Sequence, residues 1–134
     1  MSEPRRNLLD TNILLRYLLE DDPDLHAKSR RLLEKVRTGE EKAVMLDAVL
    51  CECVYVLLKF YKVERPIIAE KLRVMMNYKG LQAVDKETLF EALNIFRDTN
   101  LSIVDCLLCA KARQEGWALA TFDDDLARHS RKKA

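Results

Sequence analysis

Short apolar segments alternate along this chain with longer segments in which apolar residues recur at helical spacing. The segments predicted as strands are 6–10, 43–46, 81–84, a very short one near Leu101, and 117–121. Strands separated by helices pair in parallel, and the helices then cover both faces of the sheet. The pattern predicts an α/β fold of three layers, α/β/α, with a short central parallel sheet of four to five strands and about six to seven helices. Only three Gly and three Pro occur in 134 residues, too few turn residues for an all-β fold.

Capping residues mark where several of the predicted helices begin and end. Asp22 followed by Pro23 predicts the start of a helix that Gly39 ends. Further helix boundaries are predicted at Asp47, Pro66, Asp85, Ser102 and Gly116. The sequence contains no repeat, low-complexity segment or linker, so it predicts a single domain over residues 1–134, with a basic tail at about 127–134.

Composition indicates a compartment but not a partner. Lys and Arg number 23 against 22 Asp and Glu, a net charge of +1, which is not the basic excess typical of a nucleic-acid-binding domain. The apolar stretch after residue 6 is too short for a signal peptide, and the longest apolar run, Cys53 to Leu58, is far below a membrane span. We therefore expect a cytoplasmic protein with no membrane association, whose four cysteines are buried thiols.

Four acidic residues stand among apolar neighbours. Asp10 follows the first predicted strand in L-L-D-T-N, and Asp123 follows the last in A-T-F-D-D-D-L. Glu52 interrupts V-L-C-E-C-V-Y-V-L-L, and Asp105 interrupts I-V-D-C-L-L-C-A. A buried carboxylate is costly unless it is paired, and few cationic side chains lie near these acids in sequence.

A bound divalent cation would explain all four acids at once. The carboxyl ends of parallel strands meet at one edge of a sheet, where ligands commonly bind. Carboxylates without a His partner are hard oxygen ligands, which favours Mg²⁺ or Mn²⁺ over zinc. The chemistry that this arrangement predicts is metal-assisted attack of water on a phosphodiester.

Helix capping and turns are the alternative explanation for three of these acids. Asp105 stands three residues after Ser102, the spacing of a capping box, and Asp123 could cap the tail helix. Asp10 could begin a turn. Glu52 lies too far inside its helix for any capping role, so capping explains part of the set only.

The order and spacing of these motifs resemble a PIN-domain ribonuclease, and most closely the VapC-type toxins of prokaryotic toxin–antitoxin pairs. The resemblance runs from Asn7 to Leu126, and its motifs are L-D-T-N at 9–12, Glu52 in its apolar helix, S-I-V-D-C at 102–106 and T-F-D-D-D-L at 121–126. The departures are few, since Leu126 stands where Phe is common and the cysteines flanking the acids are unusually numerous. Neither departure removes an acidic residue.

The resemblance implies a role for each matched residue. Asp10, Glu52, Asp105 and Asp123 match the acidic quartet that binds the metal and carries catalysis. Asp125 matches the second Asp of the terminal motif and is a further candidate ligand, while Asp124 is a variable surface position. The supporting polar positions are Thr11 and Asn12 after the first acid, and Thr121 beside the site.

The resemblance also implies a PIN-like fold, an activity and partners. The activity is that of an Mg²⁺- or Mn²⁺-dependent endoribonuclease that cuts single-stranded or loop RNA. Family members are commonly homodimers, and each is inhibited by a cognate antitoxin of the VapB type. That antitoxin lies over a groove near the active site, and the early helices at about 12–38 resemble part of this groove.

Three basic residues flank the candidate site, and other classes of protein share single features with the chain. Arg16, Lys111 and Arg113 could contact phosphates or form solvated faces. A haloacid-dehalogenase-type hydrolase would need a second Asp where Asn12 stands, and a response-regulator receiver does not fit Glu52. The remaining alternatives are a catalytically inactive PIN-fold module that binds RNA or protein, and a stand-alone RNA-processing nuclease.

The near-neutral net charge takes a different meaning once the acids are grouped. Setting the four acids aside leaves 23 basic against 18 acidic residues (22 less 4). The basic residues concentrate at 28–37 and 128–133, which is compatible with a phosphate backbone around an acidic metal pocket. A zinc site at Cys51, Cys53, Cys106 and Cys109 is disfavoured, because residues two apart on a helix do not share a face.

Overall fold

The computed structural model describes residues 6–131, in which three short strands form a parallel sheet and seven helices are present. The strands are β1 (Arg6–Leu8), β2 (Lys42–Val44) and β3 (Leu81–Gln82). The helices are α1 (Thr11–Leu19), α2 (Pro23–Thr38), α3 (Asp47–Lys59), α4 (Arg65–Met76), α5 (Lys86–Asp98), α6 (Ile103–Glu115) and α7 (Asp124–Ser130). The predicted α/β class, the parallel sheet and the number of helices are therefore confirmed.

The sheet has the strand order β1-β2-β3, and its register brings the carboxyl ends of all three strands to one edge. Leu8 pairs with Val44, and Val44 pairs with Gln82. The pairing continues past the strands, because Leu9 N donates to Val44 O at 3.0 Å. The segments that follow β1 and β2 consequently leave the sheet side by side, and they lead into α1 and α3.

The predicted sheet of four to five strands was too large, because two predicted strands are absent from the described residues. Leu101 lies in the tight turn between α5 and α6, where its amide donates to Thr99 Oγ1 at 3.2 Å, and the turn is too short for a strand. The segment 117–121 follows α6 without joining the sheet, and its first amide, Trp117 N, donates to Ala112 O at 3.0 Å. A segment with strand propensity forms a strand only where a neighbouring strand is available to pair with it, and this segment contacts the end of α6 instead.

The predicted helix boundaries are largely confirmed by cap geometry. Asp22 and Asp85 each accept the backbone amide three residues further on, at 3.1 Å. Gly39 ends α2 with φ 85°, in the left-handed region that favours glycine. The prediction that Asp47 caps α3 was wrong by one position, since Leu46 is the N-cap and Asp47 is the first helical residue, where its charge favours the helix dipole.

A continuous apolar core connects the helices that carry the acidic residues. Its buried side chains extend from Leu9, after β1, to Leu126 in α7. In this core α1 packs against α2 and α3, α3 packs against α4 and α6, and α6 packs against α5 and α7. The candidate site is thus carried by one connected set of helices.

Gly80, directly before β3, allows the sheet and α2 to approach closely. A Cβ atom at this position would lie 2.2 Å from Glu41 O and 2.8 Å from Val36 O, both backbone atoms. The Gly80 amide donates to Val36 O at 2.8 Å. Any larger residue would therefore push the end of α2 away from the sheet.

Among residues 6–131, no helix combines the length and the apolar character needed to cross a bilayer.

Candidate functional site

Asp10 lies between β1 and α1, at the N-cap position of the helix. Its carbonyl oxygen accepts the amides of Ile13 and Leu14 at 3.1 and 3.4 Å, but its carboxylate makes no capping hydrogen bond. The side chain is exposed, whereas Thr11 beside it is buried and Asn12 is exposed. The local fold therefore leaves both carboxylate oxygens of Asp10 available to a ligand.

Glu52 lies in the second turn of α3 and is exposed, although its neighbours Cys53 and Val54 are buried. It takes no part in capping, as the sequence predicted. Burial raises the pKa of the Cys53 thiol to about 12, and the nearby Glu52 charge adds to this effect. Cys53 is consequently protonated at neutral pH and contributes apolar packing beside an exposed carboxylate.

Asp105 lies in the first turn of α6, where it is half-buried. Its amide donates to Ser102 Oγ at 3.1 Å, so Ser102 is the N-cap as predicted. Among residues 6–131 the Asp105 carboxylate returns no hydrogen bond to the Ser102 amide, so only one half of the capping box is formed. Its carboxylate oxygens are not needed for the cap.

Asp123 caps α7, which bears out the alternative explanation that the sequence left open. Its Oδ1 accepts the Leu126 amide at 3.1 Å, and its own amide donates to Thr121 Oγ1 at 3.1 Å. Thr121 therefore supports the backbone that carries Asp123. One carboxylate oxygen of Asp123 serves the cap, and the side chain is exposed.

Asp125 differs from the four other acids because its carboxylate is paired. It forms an ion pair with Arg128, and His129 Nε2 lies 3.7 Å from its second oxygen. Both contacts are within α7 and partly exposed, so they are weak. Asp125 would have to exchange these partners before it could bind a metal ion.

The packing of the helices places the four unpaired acids on neighbouring elements. Asp10 begins α1, which packs against α3, and α3 in turn packs against α6. The Sγ atom of Cys109 in α6 contacts Leu126 O of α7 at 3.9 Å, which links the helices of Asp105 and Asp123. The elements that carry the four acids are therefore in contact with one another.

The charges of these acids are not balanced by nearby cations. Within residues 6–131, no ion pair involves Asp10, Glu52, Asp105 or Asp123. In the same range no three Asp, Glu, His or Cys side chains lie close enough together to hold one metal ion. The donor chemistry fits a hard divalent cation, and the exposed carboxylates would have to turn toward one another to bind it.

The three basic residues predicted to flank the site already have partners. Arg16 Nη1 lies 2.6 Å from Asp21 Oδ2, and Lys111 Nζ lies 2.8 Å from Asp85 Oδ2. Arg113 pairs with Glu91 at 2.8 Å and donates twice to His129 O. Each of these side chains therefore connects structural elements, and each would have to leave a carboxylate to contact a phosphate.

The pair formed by Asp85 and Lys111 was not foreseen from the sequence. Asp85 follows β3 and caps α5, and hydrogen bonds from Lys111 and Thr88 lower its pKa to about 2. The available signal was its position, because it follows a strand as Asp10 does. The Lys111 contact pairs the Asp85 carboxylate with a cation, which distinguishes Asp85 from the four acids without a cation.

The cysteines form no metal site in this structure. Cys53, Cys106 and Cys109 are buried and Cys51 is half-buried, and all four are free thiols. Burial raises the pKa of Cys106 to about 12, which disfavours the thiolate that zinc binding requires. The thiols thus act as small apolar groups around the acidic residues.

Two comparisons with known proteins bear on this arrangement. The chain is 28% identical over 109 residues to a protein named VapC ribonuclease from Aquifex aeolicus (strain VF5), an alignment that covers 81% of this chain and 80% of that protein. A family profile described as the PIN domain matches residues 8–132, a range that includes all four acids and their supporting polar residues. The chain therefore belongs to the PIN-domain family.

Proposed function

We propose that this protein is a divalent-metal-dependent endoribonuclease that hydrolyses RNA phosphodiesters, and that it is the toxin of a VapBC-type pair. The observation that carries the proposal is the set of four carboxylates without cationic partners on helices that pack together. Membership of the PIN-domain family and the similarity to a VapC ribonuclease support the same activity.

The metal ion would be held by Asp10, Glu52, Asp105 and Asp123, with Asp125 as a further candidate. A bound Mg²⁺ or Mn²⁺ supplies a water of lowered pKa and stabilises charge on the attacking and leaving oxygens. Asp10 and Glu52 are exposed and form no ion pair within the described chain, so they can reorient at little cost. Asp123 would have to keep or leave its cap at Leu126, and Asp125 would have to leave Arg128. Among the supporting residues, the Thr121 hydroxyl holds the backbone of Asp123.

The RNA substrate would lie across basic surface around the acids. The outer face of α2 carries exposed basic side chains at Lys28, Arg31 and Lys35. Arg30 and Arg37 are exposed on the same helix and pair with Glu34. Such a face attracts a phosphate backbone without reading its sequence. Arg16, Lys111 and Arg113 could bind a phosphate of the RNA only after leaving the carboxylates with which they now pair.

A VapB-type antitoxin would bind in the groove between α2 and α4. This groove has a volume of about 520 Å³ and is lined in part by Tyr17, His26, Glu34 and Tyr78. The lining combines aromatic surface with charge, which suits an inserted peptide. We propose further that the protein acts as a homodimer in the cytoplasm, where its RNA substrate would be found.

Replacement of Asp105 by Asn tests the proposal directly. Asn is nearly isosteric, and the cap at Ser102 uses only the amide of residue 105, so the fold should persist. We expect metal-dependent cleavage of a fluorescent single-stranded RNA to fall by more than about 100-fold, beyond the usual effect of losing an outer-shell partner. Asp98→Asn, at an exposed acid paired with its neighbour Arg97, serves as the control.

Purified wild type should cleave with Mg²⁺ or Mn²⁺ and lose that activity in EDTA. Equal cleavage by wild type and Asp105→Asn would contradict the assignment of Asp105 as a ligand.

The second candidate function is an inactive PIN-fold module that binds RNA or protein. It is favoured by one observation, that no three candidate ligands come together among residues 6–131. This function predicts RNA binding by gel shift with no cleavage in any divalent metal, and no effect of Asp105→Asn. A stand-alone RNA-processing nuclease would cleave like the toxin but would have no antitoxin gene beside its own.

A further inference from the structure

Arg65 occupies a position that helix electrostatics alone would not favour. It is the first residue of α4, where a cation faces the positive end of the helix dipole. No carboxylate within residues 6–131 forms an ion pair with it, and burial lowers its pKa. Contacts other than charge pairing must therefore hold the guanidinium in place.

Those contacts tie α4 to the turn between α5 and α6. Arg65 Nε donates to Phe96 O at 2.9 Å, and Nη2 donates to Leu101 O. The guanidinium carbon also lies 3.7 Å from the centre of the Phe96 ring, within the range of a cation–π contact. Phe96 O belongs to the last turn of α5, whose carbonyls lack partners within the helix.

The same turn sets the start of α6 and with it the position of Asp105. Leu101 directly precedes the cap residue Ser102, whose Oγ accepts the Asp105 amide at 3.1 Å. Leu101 O is also approached by the Cys106 thiol, at 3.8 Å. Arg65 and the first turn of α6 thus share one carbonyl group, so displacement of that carbonyl would move the backbone that carries Asp105.

We infer that Arg65 is a positioning residue for Asp105: its planar fork fixes the α5–α6 turn in the geometry that presents this carboxylate to the metal ion. The inference rests on the proposed function, in which Asp105 is a metal ligand. It assigns Arg65 no contact with metal or RNA. A Lys side chain could not replace Arg65 fully, because only a planar guanidinium can donate to Phe96 O and Leu101 O while it stacks on the Phe96 ring.

Two variants and a matched control test the inference. Arg65→Met keeps a long apolar stem and removes all the donors, and Arg65→Lys keeps one donor group without the fork. Arg97→Met removes a neighbouring exposed Arg whose ion pair within residues 6–131 is with Asp98. Mn²⁺ binding is measured by calorimetry and by the metal concentration at half-maximal RNA cleavage, and amide hydrogen exchange is measured at residues 105 and 106.

We expect Arg65→Met to weaken Mn²⁺ binding about tenfold, the lower end of the effect of losing a group that orients a metal ligand. The Asp105 amide should exchange faster, whereas the Leu126 amide at the α7 cap should be unchanged. Arg65→Lys should lie between wild type and Arg65→Met. Arg97→Met should match wild type in every measurement. A merely structural Arg65 would alter thermal stability without altering metal affinity.

The outcomes separate the two proposals. If wild type cleaves RNA and Arg65→Met binds Mn²⁺ as tightly as wild type, the inference is overturned and the proposed function stands. If wild type neither cleaves RNA nor binds Mn²⁺, the proposed function fails and the positioning of Asp105 for a metal fails with it. If Arg65→Met does not fold, the comparison of Arg65→Lys with wild type decides between these outcomes.

Discussion

Asp123 caps a helix and is also a proposed metal ligand, and a pair of substitutions can separate these two roles. Its carboxylate caps α7 in the structure, and we propose that it also binds the metal ion. Asn retains an oxygen that can accept the Leu126 amide but loses the charge, whereas Ala loses both. The two variants should therefore differ in stability and agree in their loss of activity.

The size of the stability effect follows from the contacts of Asp123. The side chain makes one capping hydrogen bond, of 3.1 Å, and the bond from its amide to Thr121 Oγ1 survives both substitutions. Loss of such a cap to Ala costs about 1 kcal/mol, and Asn caps about as well as Asp. For a chain of 134 residues the Ala variant should lose about 3–5 °C in Tm.

The controls match each effect separately. Asp22 caps α2 through an acceptor bond of the same length, 3.1 Å to the Leu25 amide, so Asp22→Ala should reproduce the loss of stability. Asp124 is the exposed acid next to Asp123, so Asp124→Asn tests whether any charge removed from this turn reduces cleavage.

The assay combines thermal unfolding with cleavage of single-stranded RNA in Mn²⁺. We expect Asp123→Asn to unfold within about 2 °C of wild type, since a cap substitution of this kind changes stability by a few tenths of a kcal/mol. Its cleavage rate should fall at least about 100-fold, beyond the usual effect of losing an outer-shell partner. Wild-type cleavage by Asp123→Asn would refute the reasoning, because capping alone would then account for the carboxylate.

Two further predictions concern the framework around the site. Gly80→Ala should destabilise the fold by about 3 kcal/mol or more, because the new Cβ would meet two backbone oxygens. Gly116→Ala should cost only about 1 kcal/mol, because Gly116 has φ 70° but open space around it. Urea unfolding of both variants measures the difference in stability, and equal losses would contradict the close approach at Gly80. The lowered pKa of Asp85 stabilises the folded state above the ordinary pKa of a carboxyl group, and this contribution, about 1 kcal/mol after solvent screening, is lost as pH falls toward 2. Lys111→Met should remove that part of the acid sensitivity between pH 4 and pH 2 in unfolding curves, and an unchanged pH profile would show that the pair contributes nothing.

The elements that the sequence predicted well are those whose signals are local. Capping residues placed both ends of Pro23–Thr38 and the start of Lys86–Asp98 where the structure has them, because Asp22 and Asp85 bond to amides only three residues away. The strand predicted at 117–121 depended on a distant partner strand. No local signal reveals whether such a partner is available.

In the candidate site, too, local contacts could be predicted from sequence, whereas burial and contacts between distant residues could not. Asp10, Glu52 and Asp123 are exposed, and Asp105 is half-buried. The expectation that burial makes these carboxylates costly without a bound cation was therefore wrong, and their role as metal ligands stays a prediction. Asp123 caps α7, as its position in the sequence allowed, and this cap does not exclude the proposed role of Asp123 as a metal ligand. Arg65 could not be found from sequence, because its partners are carbonyl groups, which carry no side-chain signature.

The short connection between α5 and α6 has a consequence for the order of folding. These helices, with α4, contact one another over short sequence distances, whereas the sheet must join Leu8 to Val44 and Val44 to Gln82. Local contacts cost less chain entropy than distant ones and form earlier. We therefore expect the helical half that holds Asp105 to assemble first and the strand that leads to Asp10 to dock later. The elements that carry Asp10 and Asp105 would then join only once most of the core is already in place.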